Sequence, residues 1–174
     1  MSEIFTPQNG DDSSDDRPRL VLDTNTVLAL WMFRDPKLDA LRAWIETGNC
    51  LLYSREDALE ELRRVLAYRQ FGLDVAAQRS IQSDYCSQLS PGSPRKNEDT
   101  PADLPLLPAC QDPDDQKFLE IAFQESATHL ASRDKALTKL ARHRLVRDKF
   151  TILTPEQLIT SIQQHPRAHS SHLN

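Results

Sequence analysis

At 174 residues with 39% hydrophobic side chains, the chain can bury one sizeable core and is too short for two comfortable ones. No apolar run is long enough to cross a bilayer, and the first ten residues lack the basic and apolar regions of a secretory signal, so a soluble cytoplasmic protein is expected. The net charge of -5 argues at first against a nucleic-acid partner, but Glu3, Asp11, Asp12, Asp15 and Asp16 against Arg17 alone account for most of it.

Residues 1–18 are polar and acidic and read as a disordered leader, residues 19–162 as one domain, and residues 163–174 as a disordered tail. Leu20, Val21 and Leu22 form a strand-type run that stops at Asp23, Thr24, Asn25 and Thr26, before apolar periodicity resumes at Val27, Leu28 and Leu30. A strand that ends in Asp and passes into a helix puts that Asp at the carboxyl edge of a sheet, where α/β proteins bind ligands. Helix capping by Asp23 and Thr24 explains the same residues equally well. Leu38, Leu41, Trp44 and Ile45 then space a helix that Gly48 and Asn49 stop, and Cys50 to Tyr53 makes a second strand. Cys50, Cys86 and Cys110 are odd in number and include no CxxC pair, which suggests neither a disulfide framework nor a zinc knuckle.

Ser54 with Asp57 resembles a capping box opening a helix to about Ala67. On that helix Ala58, Leu59, Leu62, Val65 and Leu66 form the inner stripe, Glu61 flanks it, and Glu60 points away. Asp74 to Leu89 reads as a helix with Val75, Ile81 and Tyr85 inward, and the Pro-rich stretch from Ser90 to Pro108 as a long loop. In the run QDPDDQKFLEIA, Asp112 is placed to cap a helix that starts at Pro113 and buries Phe118, Leu119, Ala122 and Phe123. Three carboxylates within four residues exceed what capping requires.

Thr128 to Ala131 supplies a third strand, again ending near an acid, in Ser132-Arg133-Asp134, with a helix from Lys135 to His143 behind it. Phe150 to Leu153 is a fourth strand, and Thr154-Pro155 with Gln157 caps a last helix. The histidines His165, His169 and His172 fall in the tail and are read as solvated, not as metal ligands. Alternating strands and helices predict an α/β protein with a parallel sheet covered on both faces. In that arrangement Asp23, Glu61, Asp115 and Asp134 can converge. Four carboxylates without Lys, His or Cys suit Mg²⁺ or Mn²⁺ rather than zinc, and hard divalent ions so held favour phosphodiester hydrolysis. Lys135, Lys139 and Arg142 share a helix face that could meet phosphates.

LDTN at 22–25, E-L-x-x-V-L at 61–66, DPDDxxFLxxA at 112–122 and S-x-D-x-x-L at 132–137 resemble, in order and spacing, the motifs of PIN-domain nucleases. The branch most similar comprises toxin components of bacterial toxin-antitoxin systems. The resemblance implies a PIN-like three-layer α/β/α sandwich with a central parallel sheet of four or five strands. It implies an Mg²⁺- or Mn²⁺-dependent endoribonuclease with Asp23, Glu61, Asp115 and Asp134 as both catalytic and metal-binding acids, Asp112 as a further ligand, and Asn25 and Ser132 as supporting polar groups. RNA would be the substrate and an antitoxin protein the partner, with homodimerisation common in the family and no membrane association. Arg133 stands where the family usually has Gly, and joins Lys135, Lys139 and Arg142 as a candidate RNA contact. Two alternatives stay open: a catalytically silent PIN scaffold, and a haloacid-dehalogenase-type phosphatase, which would need Asp where Asn25 stands.

Overall fold

A computed structural model of the chain describes residues 15–99 and 107–165. Four parallel strands, β1 (Arg19–Leu22), β2 (Leu51–Tyr53), β3 (His129–Ala131) and β4 (Thr151–Leu153), form one sheet in the order β2-β1-β3-β4. Leu20 pairs with Leu52 on one side and His129 on the other, which makes β1 central, and Leu130 aligns with Ile152 on the far side of β3. The chain winds outward from β1 to β2 and then returns to add β3 and β4 on the opposite side. The crevice beyond the carboxyl ends of β1 and β3 is therefore the topological switch point of the sheet.

Pleating distributes the strand side chains between two cores. Leu20, Leu22, Leu52, Ala131 and Leu153 face one core, which the segment Val27–Trp31 and the helices α2 (Asp39–Glu46), α4 (Val75–Cys86) and α7 (Pro155–Gln164) help to fill. Val21, Leu51, Tyr53, Leu130 and Ile152 face the other, against Phe118, Leu119, Ile121 and Ala122 of α5 (Gln116–Gln124) and Leu137 of α6 (Lys135–Thr138). Alternate residues thus serve opposite faces of a sheet that has helices on both sides, and the expected three-layer α/β/α sandwich is what forms. Each fully buried Leu or Phe contributes on the order of 1.5–3 kcal/mol, so these rows, and not the strands of three or four residues, hold the sheet together.

Several elements depart from their expected limits. The helix after Asp23 is a single α turn, α1 (Thr24–Val27), that widens into a π-helical turn at Leu28–Met32. The capping box expected at Ser54 does not form. Helix α3 (Glu56–Leu66) starts from Arg55 instead, because Arg55 draws Asp57 into an ion pair and the Ser54 amide is taken by the Ser93 hydroxyl. Val75, expected inward, is 59% exposed at the first position of α4, while Tyr85 is buried. The basic helix expected over Lys135–His143 is α-helical only to Thr138 and tightens into a 3₁₀ turn over Lys139–Arg142. Leu89, just before the Pro-rich stretch, and Arg95 within it lie along the edge of the sheet, bridging to Leu52 and Arg55; residues 100–106, the leader to residue 14, and His169 and His172 lie outside the described residues. No helix among the described residues is long and apolar enough to cross a membrane.

Candidate active site

Asp23 follows the last residue of β1, and its backbone N–H still bonds to the Ala131 carbonyl of β3. The chain then turns into α1, and the Asp23 carboxylate caps that turn by accepting the Thr26 N–H at 2.8 Å. Its second oxygen accepts the hydroxyl of Ser132, which sits just past β3. Only 2% of Asp23 is exposed; burial raises the pKa of its carboxyl, and the Ser132 and Thr26 hydrogen bonds oppose that rise. The capping role weighed in the sequence is real, and it coexists with a position at the switch point.

Ser132 links the two strand ends. Besides donating to Asp23, its oxygen accepts the Asp134 N–H at 2.9 Å. Asp134 in turn caps α6, accepting the Ala136 N–H at 2.6 Å. From the opposite wall, Asp112 opens the 3₁₀ turn Pro113–Asp115 by accepting the Asp114 N–H at 2.9 Å, and α5 continues from Asp115. Proline at the first helical position and acids in the first turn are what such an N-terminus favours.

Asp115 differs from its neighbours. One oxygen, Oδ2, is buried with no hydrogen-bond partner. Its carboxyl is pushed up to about 6, first by burial and then by the charges of Asp134, Asp112, Asp23 and Glu61. Asp112 from its own turn and three acids from other parts of the chain therefore act on a single group. The predicted set converges electrostatically around Asp115.

The convergence faces an open cleft of about 630 Å³ lined by residues that include Asn25, Glu61, Asp112, Asp115, Lys117 and Asp134. Glu60, expected to point away, lines the same cleft instead and pairs with Arg63 and Arg64. Glu61 looks in as expected, and the Thr24 hydroxyl donates to its Oε1 at 2.7 Å. Its other oxygen pairs with the Lys117 ammonium. The expectation of a site without lysine is thereby corrected: Lys117, two residues after Asp115, reaches back to the Asp114 carbonyl because helix side chains lean toward the N-terminus.

The oxygen donors and the orphaned Asp115 Oδ2 suit a hard divalent cation; Asp115 and Asp134 line the cleft, whereas Asp23, only 2% exposed, is not among its lining residues. Among the described residues, however, no three acidic, histidine or cysteine side chains form a ready cage for an ion. Asp23, Glu61, Asp112 and Asp134 each accept at least one hydrogen bond of their own. Arg133 leaves the cleft altogether: its guanidinium pairs with Glu156 of α7 and with Asp35. Lys135, Lys139 and Arg142 are exposed along the segment that follows Asp134.

Two further residues shape the site without having been singled out. Thr24 positions Glu61. Arg55, buried at the start of α3, holds Asp57, Glu120 and Gln124 and so fixes α3 against α5. An arginine beside two acids in sequence gives no hint of burial, so Arg55 was not detectable there.

A parallel sheet whose switch point gathers acids from two strand ends and two helices defines an α/β protein with a carboxylate cleft. The family model of the PIN domain matches residues 19–136, more than half of the chain, and the chain belongs to this family, whose members are generally nucleases. All four predicted acids lie within the matched span. Neither the curated proteins nor the solved structures compared with the chain give a match.

Proposed function

We propose that the protein is an endoribonuclease dependent on Mg²⁺ or Mn²⁺, acting in the cytoplasm as the toxin of a toxin-antitoxin pair. The observation that carries the catalytic part is Asp115: a carboxyl with a buried, unpaired oxygen, its pKa pushed up to about 6 first by burial and then by four surrounding acids, calls for a cation. Membership in the PIN family supports nucleic acid as the substrate. The toxin role, the antitoxin partner and a homodimer rest on resemblance to the toxin branch.

Asp23, Asp115 and Asp134 would hold the ion, with Asp112, which lines the same cleft as Asp115 and Asp134, as a further ligand. Bound there, a divalent ion would polarise an attacking water and offset charge on the phosphoryl oxygens. Ser132 and Thr26 fix both Asp23 oxygens, which removes rotamer freedom before substrate arrives. Above about pH 6 Asp115 is ionised and can bind a cation or accept a proton; below it, the carboxyl keeps its own proton. Asn25 lines the cleft and can orient substrate. Lys135, Lys139 and Arg142 would contact flanking phosphates, whereas Arg133 is engaged by Glu156 and Asp35.

The test is cleavage of a single-stranded RNA with Mn²⁺ or Mg²⁺, with EDTA, and with Asp115→Asn. Expected are products with 5′-phosphates, no cleavage in EDTA, and a rate lowered on the order of 10²- to 10³-fold by the substitution. Cleavage indifferent to EDTA and to Asp115→Asn overturns the mechanism. One observation favours the silent scaffold as a second reading: Lys117 already neutralises Glu61. Absence of cleavage with every divalent ion would support that reading.

A further inference from the structure

Glu61 is the acid of the predicted quartet that carries a cationic partner. Thr24 donates to Oε1 at 2.7 Å, and the Lys117 ammonium pairs with Oε2. Lys117 is itself well anchored. Its ammonium also donates to the Asp114 carbonyl at 2.6 Å and lies 5.3 Å from the centre of the Phe118 ring, and its side chain is only 16% exposed. A lysine held by a carboxylate, a carbonyl and an aromatic face has little reason to leave. A divalent ion drawn toward Glu61 would meet this positive charge at close range, in a cleft where water screens it incompletely.

We propose that Lys117 is a resident cation that reserves Glu61, so that the cleft takes its divalent ion on Asp23, Asp115 and Asp134 and leaves Glu61 outside the ion's contact shell. Glu61 is then a positioning residue: it holds Lys117, and Lys117 supplies the positive charge on that wall. This rests on the reading of the cleft as a divalent-ion site. It divides the four acids, alike in the sequence, into three that bind the ion and one that binds an ammonium.

The experiment is calorimetric titration of the whole chain with MnCl₂, without substrate, with circular dichroism melting to verify that each variant is folded. Lys117→Met is expected to tighten Mn²⁺ binding about tenfold or to add a second ion per chain, because Glu61 is released and a like charge removed. Adding Glu61→Gln to that variant is expected to cancel the gain. Lys117→Arg, which keeps the positive charge beside Glu61, is expected to stay within about twofold of the native affinity. Native-like Mn²⁺ affinity in Lys117→Met, or a gain in that variant that survives the added Glu61→Gln, overturns the inference while leaving the cation site intact. Lack of Mn²⁺ binding by every protein overturns the cation site itself, and the inference with it.

Discussion

Ser132 donates its hydroxyl to the Asp23 carboxylate while its own oxygen accepts the Asp134 amide, so a wholly buried side chain at the end of β3 couples the acids of two strands. Ser132→Ala removes the hydroxyl and leaves a buried Asp23 oxygen short of a partner, which typically costs about 1–3 kcal/mol. It also removes one of the hydrogen bonds that counter the effect of burial, so the Asp23 carboxyl rises further. The expected outcome is a lower melting temperature together with weaker Mn²⁺ binding at neutral pH. Ser132→Thr, which keeps the hydroxyl, should restore much of the binding; if binding survives in Ser132→Ala, the coupling is only structural.

Asp115 should make the stability of the chain and the proposed ion binding respond oppositely to pH. Its folded pKa, about 6, lies above its ordinary 3.8, so the folded state holds the proton where the unfolded chain has released it. With more protons bound in the folded state, stability falls as pH rises from about 4 to 6, and the penalty is complete above 6. Ion binding needs the ionised form and therefore strengthens over the same range. Asp115→Asn should raise the melting temperature of the ion-free protein at pH 8 by about 2–4 °C, after discounting for a partly solvated group, and leave it almost unchanged at pH 4. Melting curves at the two pH values, and Mn²⁺ titrations at pH 5 and 7.5, check both halves.

The acids were readable in the sequence for a reason that also limits what else could be read. Asp23 and Asp134 each end a strand, and a strand followed by a polar break is visible as a change in apolar pattern. Glu61 was assigned by its angle on a helix whose stripe, Ala58, Leu62 and Leu66, is the one that forms. Lys117 escaped because the pairing that matters is with a residue on another helix, 56 positions away. Val75 was misplaced because apolarity at a helix start does not tell which way that turn faces. The short α6 was overestimated because Lys139 and Arg142 suit an α-helix and a 3₁₀ turn equally. Local pattern placed the elements, and contacts between elements were out of its reach.

Arg55 holds the two walls of the cleft at a fixed distance. Its side chain is 6% exposed and its guanidinium pairs with Asp57 and Glu120, which are about a third exposed or less. Breaking a buried pair by removing one partner is strongly destabilising, and partial solvation of these partners moderates the effect. Arg55→Met should therefore cost about 2 kcal/mol, or about 4–8 °C in melting temperature for a domain of this size. Arg55→Lys keeps the charge but not the planar fork that spans both acids and Gln124, and should recover less than half of the loss. A variant as stable as the native chain would show that α3 and α5 are held by their apolar contacts alone.

Arg133 immediately precedes Asp134, and its pairing separates it from the rest of the basic segment. Glu156 and Asp35 already satisfy its guanidinium, so Arg133→Ala should change RNA affinity by less than about twofold. Lys139 and Arg142 are exposed on the 3₁₀ turn, with no carboxylate paired to them among the described residues. Each phosphate contact on a single strand contributes about 0.7 to the slope of log affinity against log salt. Lys139→Ala combined with Arg142→Ala should flatten that slope by about 1.4 and weaken binding at low salt, with no preference among RNA sequences. Binding measured by fluorescence anisotropy between 50 and 200 mM salt, with Asp115→Asn to prevent cleavage, distinguishes the two sets. A slope altered by Arg133→Ala and unaffected by the double substitution would place the phosphate path on the side of α7 instead.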